Sequence, residues 1–295
     1  LGKFQLKINN GIVGYYGFKP ITDVLKEWSM SQSFPIPLHP DEIKDGLKTK
    51  RIGREVIVYS STSSTNDVAW EYAKNRDNDG LAVFAEEQTA GRGRGGNEWL
   101  SPKGQSVLCS VVLLDSELAG ELLILSCAVA VAEAIGRCGR YEAKIKWPND
   151  IILNGKKVGG ILLESRAGKK GSDYIVGVGI NCHQKKEFFT GELQGIATSI
   201  DLEGPKVCDR TILAKRLLIS LDDWLVVADK SQQKVIERWE HLSTQLGHRV
   251  NLMYNNRKFS GNCIGVDPQK GLIVQLERGG VRMFDAAHTS VVRQS

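Results

Sequence analysis

Asn154-Gly155 lies between two apolar runs, Ile151 to Leu153 and Lys156 to Glu164, and no other dipeptide in the chain constrains its folding as strongly. Both residues of such a two-residue turn must take positive φ, which Asn and Gly tolerate best, so the spacing predicts a tight antiparallel hairpin. Upstream, Glu55 to Tyr59 reads as a strand, and the polar turn Ser60 to Thr65 is placed to N-cap a helix over Asn66 to Asn75. Strands follow at Leu81 to Glu86 and Val107 to Leu114, then a long apolar helix from about Glu117 to Cys138, a short strand at Lys144 to Trp147, and a last strand at Tyr174 to Asn181. This order predicts an α+β domain, a mixed and largely antiparallel sheet packed with helices.

A Gly- and Thr-containing stretch, Gly191 to Pro205, leads to amphipathic helices at about Arg210 to Asp229 and Gln232 to His241. After Gly247 the periodicity becomes two, with short strands near Arg249 to Tyr254, Lys258 to Val266, Leu272 to Gln275 and Val281 to Phe284. That pattern predicts a small C-terminal SH3-like β barrel. Residues 1 to about 50 mix Gly, Pro and charge; they hold a short helix candidate at Thr22 to Met30 but no complete three-helix DNA-binding unit. The expected organisation is an N-terminal appendage or linker over 1–50, a main domain over 51–242 and the barrel over 243–295.

The densest chemistry lies in Gln88-Thr89-Ala90-Gly91-Arg92-Gly93-Arg94-Gly95-Gly96-Asn97-Glu98-Trp99. Glycines let backbone amides approach an anion, guanidiniums supply fixed positive charge, and the indole offers a stacking face, so the loop reads as a clamp for phosphate and a purine. Gly91-x-Gly93-x-x-Gly96 formally matches the dinucleotide-binding fingerprint, but a strand follows where that fingerprint needs a helix. A Walker loop fails too, because Asn97 and Glu98 stand where Lys and Ser/Thr are required. A solvated basic loop is the plain alternative for this segment taken alone.

Three further segments add polar groups. Ser63-Ser64-Thr65-Asn66-Asp67 brings hydroxyls to a strand-to-helix turn, where helix capping is the simpler role. Lys146-Trp147-Pro148-Asn149-Asp150 opens the hairpin whose return strand carries Lys157. There Asp can hold Mg²⁺ or orient a lysine, Asn can read a purine edge, and Lys can neutralise an anionic oxygen; a salt-bridged hairpin is the alternative. Gly177-Val178-Gly179-Ile180-Asn181 is a strand with glycines where something approaches the backbone.

Bulk properties bound the class. The 295 residues, 41% of them apolar, suffice for an enzyme of two domains, and a net charge of +5 neither demands nor excludes nucleic acid. Six cysteines without CxxC spacing read as reduced core residues, and five scattered histidines make no zinc site. A Mg²⁺ brought by a nucleotide leaves little sequence trace. No cleavable signal or membrane span is visible, so a soluble, cytoplasmic protein is expected.

Together the motifs resemble the biotin-protein ligases, or holocarboxylase synthetases, over roughly residues 54 to 290. The resemblance rests on Ser64-Thr65-Asn66, the loop Gly91 to Gly96 with Trp99, Lys146 to Asp150 followed by Lys157, Gly177 to Asn181, and Arg238-Trp239 before the barrel. It implies a class II synthetase-like catalytic domain and a two-step reaction, in which biotin and ATP give biotinyl-5′-AMP and the acyl group then passes to a lysine of a biotin carboxyl carrier protein. By that resemblance Lys157, Arg92, Arg94 and Asp150 are catalytic. Ser64, Thr65, Gln88, Gly91, Arg92, Lys157, Gly160 and Gly177 bind biotin, while Arg94, Trp99, Lys146, Asn149 and Asn181 bind ATP. Asp150 is the expected Mg²⁺ ligand, and a homodimer is an admissible assembly. Asn97 departs from the basic residue of some bacterial relatives, and the region before residue 50 lacks the helix-turn-helix of the repressor members.

Two rivals are weighed against this. A lipoate- or octanoate-protein ligase uses the same acyl-adenylate logic, although the Lys-Trp-Pro-Asn-Asp segment and the full loop favour biotin. An RNA-binding module could use Arg-Gly and aromatic residues, but a single short cluster at low net charge argues against a nucleic-acid partner.

Overall fold

The computed structural model describes residues 35–139 and 141–292, so the helix expected at Thr22 to Met30 and the question of a DNA-binding unit lie outside the described residues. The main sheet and its helices are α1 (Pro40–Lys44), β1 (Val56–Tyr59), α2 (Thr65–Tyr72), β2 (Ala82–Ala85), β3 (Ser106–Ser116), α3 (Gly120–Cys138), β4 (Lys144–Lys146), β5 (Asp150–Leu153), β6 (Lys156–Ala167) and β7 (Ser172–Asn181). Three helices follow, α4 (Ile200–Glu203), α5 (Arg210–Lys230) and α6 (Gln232–Leu242). The C-terminal strands are β8 (Arg249–Tyr254), β9 (Arg257–Asp267), β10 (Gly271–Leu276), β11 (Val281–Phe284) and β12 (Thr289–Val292).

Strands β1 to β7 form one sheet in the order β1-β2-β3-β7-β6-β5-β4. The β1–β2 pair is parallel and connected through α2; the other neighbours are antiparallel, as the hairpin signal predicts. Asn154 and Gly155 adopt φ of 49° and 78° at the β5–β6 turn.

Period-two alternation divides the sheet's faces. On β3, Val107, Cys109, Val111 and Leu113 enter the main core with α3, α5 and α6, while Val112 and Leu114 join a smaller cluster under α2 with Ala69, Trp70 and Ile175. Helix α3 is apolar nearly all round because the sheet lies on one side and α5 and α6 on the other. The α2 face is only partly covered by that short helix, and the uncovered part is where the polar motifs gather.

Two local details differ from expectation. Helix α2 starts at Thr65, and its N-cap Ser64 makes no side-chain capping bond, so the capping role expected of this turn is not realised. The β5–β6 ladder carries a bulge: Ile151 pairs with Gly159 and Ile152 with Lys157, leaving Val158 as an extra residue. Val158 and Ile161 therefore both enter the main core, and Lys157 emerges on the same side as Gly160.

Strands β8 to β12 form a second, antiparallel sheet in the order β11-β10-β9-β8-β12. Four of its strands match the expected ones; β12 is an addition, a short segment that pairs with β8 far back in the chain. The apolar residues Val250, Leu252, Leu272, Val274 and Phe284 belong to the same continuous core as α3 and α6.

Candidate active site

On the α2 face of the main sheet lies a cavity of about 570 Å³, within the range of small-molecule sites. Its floor is Leu108 of β3, Gly160 and Leu162 of β6, and Gly177 and Gly179 of β7. Ser64, Thr65, Asn66 and Gln88 form one wall, and Lys146 to Asp150 with Lys157 form another. The loop from Arg92 to Trp99 and the segment Ala287 to Val291 of the second sheet complete the enclosure.

The first wall is a hydrogen-bonded unit. Gln88 Oε1 accepts from the Thr65 amide (2.8 Å) and from Thr65 Oγ1 (2.9 Å). Ser110, on the cavity face of β3 by alternation, lies 2.7 Å from Thr65 Oγ1 and 2.6 Å from Asn66 Oδ1. Asn66 Nδ2 is buried without a partner. A buried unpaired amide costs on the order of 1–3 kcal/mol, so this donor stands ready for a ligand acceptor.

The glycine floor has a steric cause. A Cβ at Gly177 would lie 2.4 Å from Asn66 Oδ1, and one at Gly179 would lie 2.5 Å from the Trp99 ring. At Gly160 the distance to that ring would be 3.1 Å. The indole thus rests on backbone, its Nε1 buried and unpaired. Lys157 Nζ lies 5.7 Å from the ring centroid.

Across the β5–β6 hairpin Lys157 Nζ meets Asp150 Oδ1 at 2.5 Å, so the aspartate orients the lysine and the salt-bridged hairpin is present as well. Asn149 is buried; its Nδ2 donates to the Ile161 carbonyl at 2.9 Å and its Oδ1 lies 3.5 Å from Arg94 Nη1. Arg94 Nη2 also donates to the Ala286 carbonyl and, at 3.0 Å, to that of Thr289. Burial pushes this guanidinium below its ordinary pKa. Gly95 and Gly96 take φ of 65° and 83°, and Asn97 closes the turn by donating from Nδ2 to the Arg94 carbonyl at 2.8 Å.

Arg92 is engaged outside the wall of lysines. It forms a fork on Asp67 (2.9 and 2.7 Å) and a third bond to Glu164 (3.1 Å). The fork on Asp67 raises the guanidinium and holds the aspartate below the usual carboxylate range.

Of the expected site residues, Ser64, Thr65, Gln88, Arg92, Arg94, Trp99, Lys146, Asn149, Asp150, Lys157, Gly160 and Gly177 line this one cavity. Gly91 lies behind the lining, where a Cβ would come 2.5 Å from the Trp99 carbonyl, so it lets the loop fold back on itself. Asn181 is not brought to the cavity: its Nδ2 donates to Thr198 and its Oδ1 accepts from Gln184. Arg238 and Trp239 serve packing, the arginine bonded to Glu133 at 2.8 Å and the indole fully buried. Sequence reasoning missed Asn66 as a lining residue, although it stands in the Ser-Thr-Asn motif. It also missed Ala287 to Val291, whose composition carries no ligand signal. Among the described residues no group of three or more His, Cys, Asp or Glu is arranged to hold a metal ion.

A hydroxyl-amide wall, a glycine floor and a lysine-carboxylate pair under a glycine-arginine loop place the chain in a defined class. Residues 58–181 match the Biotin/lipoate A/B protein ligase family. The bifunctional ligase/repressor BirA of Bacillus subtilis is 32% identical over 260 residues, spanning 85% of this chain and 79% of that protein. A biotin acetyl-CoA-carboxylase ligase of Mycobacterium tuberculosis is 31% identical over 222 residues, 72% of this chain and 80% of that one. The structure of the Aquifex aeolicus biotin protein ligase in complex with biotin and ATP superposes with a TM-score of 0.70 at 28% identity, covering 82% of this chain and all of that chain (100%). The chain belongs to the biotin-protein ligase family.

Proposed function

We propose that this protein is an ATP-dependent ligase that activates biotin as biotinyl-5′-AMP and transfers the biotinyl group to a lysine of a carboxyl carrier protein. The observation that carries this reading is that one cavity is lined by two buried, unpaired donors, Asn66 Nδ2 and Trp99 Nε1, together with the Lys157–Asp150 pair. One unpaired donor belongs to the hydroxyl-amide wall and the other to the indole on the glycine floor, as expected of a site for an amide-like head group at one end and a flat base at the other.

In this reading Ser64, Thr65, Asn66 and Gln88 hold the ureido head of biotin, with Gly160 and Gly177 giving it room against the sheet. Trp99 and Asn149 face the adenine. Lys157 holds the biotin carboxylate beside the α-phosphate, and Lys146 and Arg94 offset phosphate charge, a large effect in a water-poor site. A carboxylate oxygen of biotin bonds to the α-phosphorus as the bond to the bridging oxygen breaks, and pyrophosphate leaves. In the second step the neutral amine of the carrier lysine attacks the acyl carbon, AMP leaves with the electron pair of the broken C–O bond, and the extra proton on nitrogen passes to solvent. Mg²⁺ bound to the triphosphate supplies further charge neutralisation. The residues fit such an ion, since Asp150 and Glu98 are the cavity's carboxylates and a nucleotide-borne Mg²⁺ takes one or two carboxylates besides phosphate oxygens; Asp150 would hold it.

Arg92, paired with Asp67 and Glu164, anchors the loop at the biotin end. A loop so anchored shields the mixed anhydride from water until the carrier arrives. Six unpaired cysteines and a need for ATP fit the cytoplasm, and among the described residues no helix is long and apolar enough to cross a membrane. The test is incubation with ATP, Mg²⁺ and either biotin or lipoate, followed by mass spectrometry. Biotinyl-5′-AMP and one modified carrier lysine are expected; a lipoyl-adenylate alone would overturn the choice of acid.

A further inference from the structure

Arg94 has its main anchor outside the loop, and that anchor is itself held. Residues Asp285 to Thr289 form a turn before β12, closed by the His288 amide donating to Asp285 Oδ1 (2.9 Å) and by Thr289 Oγ1 donating to the Asp285 carbonyl (2.5 Å). The carbonyls of Ala286 and Thr289 in this turn receive Arg94. The amide of Ala286 donates at 2.6 Å to Oε1 of Glu121, in the first turn of α3. Ala286 is therefore gripped on both sides, by the loop through its carbonyl and by the main domain through its N–H.

Among the described residues Glu121 has no other hydrogen-bond partner, and its Oε2 is buried and unpaired. Burial raises its pKa, the Ala286 amide opposes that shift, Asp285 and Asp267 add to it, and Arg94 opposes it. A carboxylate in a first helical turn is ordinarily explained by the helix dipole, which solvent exposure suits better than burial. Glu121 is half-buried, with its Oε2 shut away from solvent and its Oε1 on one peptide of the second sheet, which calls for another role.

We propose that Glu121 is a positioning residue for the glycine-arginine loop: through Ala286 it fixes the carbonyls that hold Arg94, and so keeps the loop closed over the adenylate. The chain of contacts runs from α3 to the β11–β12 turn to Arg94 and on to Asn149 in the cavity. Glu121 need not touch substrate for this. The part that concerns the adenylate rests on the ligase reading above, whereas the effect on the loop does not.

Two measurements separate these layers. Trypsin cleavage after Arg94 in the ligand-free full chain should be about tenfold faster in Glu121→Ala than in wild type, the loss of one half-buried hydrogen bond to a carboxylate, and near wild type in Glu121→Gln, which keeps an acceptor for Ala286. Release of preformed biotinyl-5′-AMP, followed by chase with unlabelled ligand, should change by a similar factor in the same order. In an Arg94→Ala background Glu121→Ala should add nothing to that release, since the two act in series. Wild-type cleavage in folded Glu121→Ala, equal damage from Gln and Ala, or an undiminished effect without Arg94 would each overturn the proposal. Faster cleavage in a protein that forms no adenylate would leave the loop anchor standing and sink the ligase reading instead.

Discussion

Lys157 owes its place in the cavity to its neighbour Val158, the extra residue of the β6 bulge, without which strand alternation would turn the lysine toward the core. Once there it is the cation fixed by Asp150, so Lys157→Met should lower adenylate formation by about 10²–10³-fold with little change in Tm, measured as pyrophosphate release. An equal loss of stability would mean that the hairpin ion pair is its main role. Gly177 offers a steric counterpart. Its hypothetical Cβ lies 2.4 Å from Asn66 Oδ1, which is held by Ser110, so Gly177→Ala should weaken biotin binding by about tenfold or more while leaving ATP binding intact. Titration calorimetry with each ligand decides it.

At the scale of elements, the loop from Arg92 to Trp99 is pinned at two points, Arg92 on α2 and β6 and Arg94 on the second sheet. Arg94→Gly should keep adenylation but let the intermediate escape, so that exposed lysines are acylated without regard to the carrier. Peptide mapping that still finds one biotinylated lysine would contradict this. Helix α5 shows a different kind of pin. Asp222, buried in its middle, accepts the amides of Lys50, Arg51 and Ile52 at 2.7, 2.8 and 2.9 Å and so ties the segment before β1 to the helix layer. Asp222→Ala strands three donors and should cost about 3 kcal/mol in denaturant unfolding.

For the whole molecule, ion pairs between elements set the acid limit. Arg76 bridges to Asp173 and Asp115, both at 2.6 Å, and holds Asp173 below the usual carboxylate range. Asp67 is lowered likewise by Arg92. Because these folded values are depressed, the stability they contribute is complete above about pH 4, where the unfolded carboxylates have ionised, and is lost as pH falls through the lower folded values. Tm should therefore fall steeply below about pH 4, and Asp173→Asn should flatten that fall. An unchanged profile in the variant would place the acid sensitivity elsewhere.

Local signals in the chain determined most of the elements: the Asn-Gly turn, the apolar runs of β3 and β7, the apolar length of α3 and the period-two strands after Gly247 all act over a few residues. They also marked most of the cavity, because glycines, paired arginines and the Lys-Trp-Pro-Asn-Asp segment are unusual enough to be seen without partners. Three things were decided only in the tertiary structure. The bulge at Val158 depends on pairing with β5, the spending of Asn181 on Thr198 depends on the segment that runs from β7 into α4, and the entry of Ala287 to Val291 into the site depends on where the second sheet docks. Each depends on a second segment, across the hairpin for Val158 and further along the chain for Asn181 and Ala287 to Val291, and a local pattern carries no information about the backbone that will meet it.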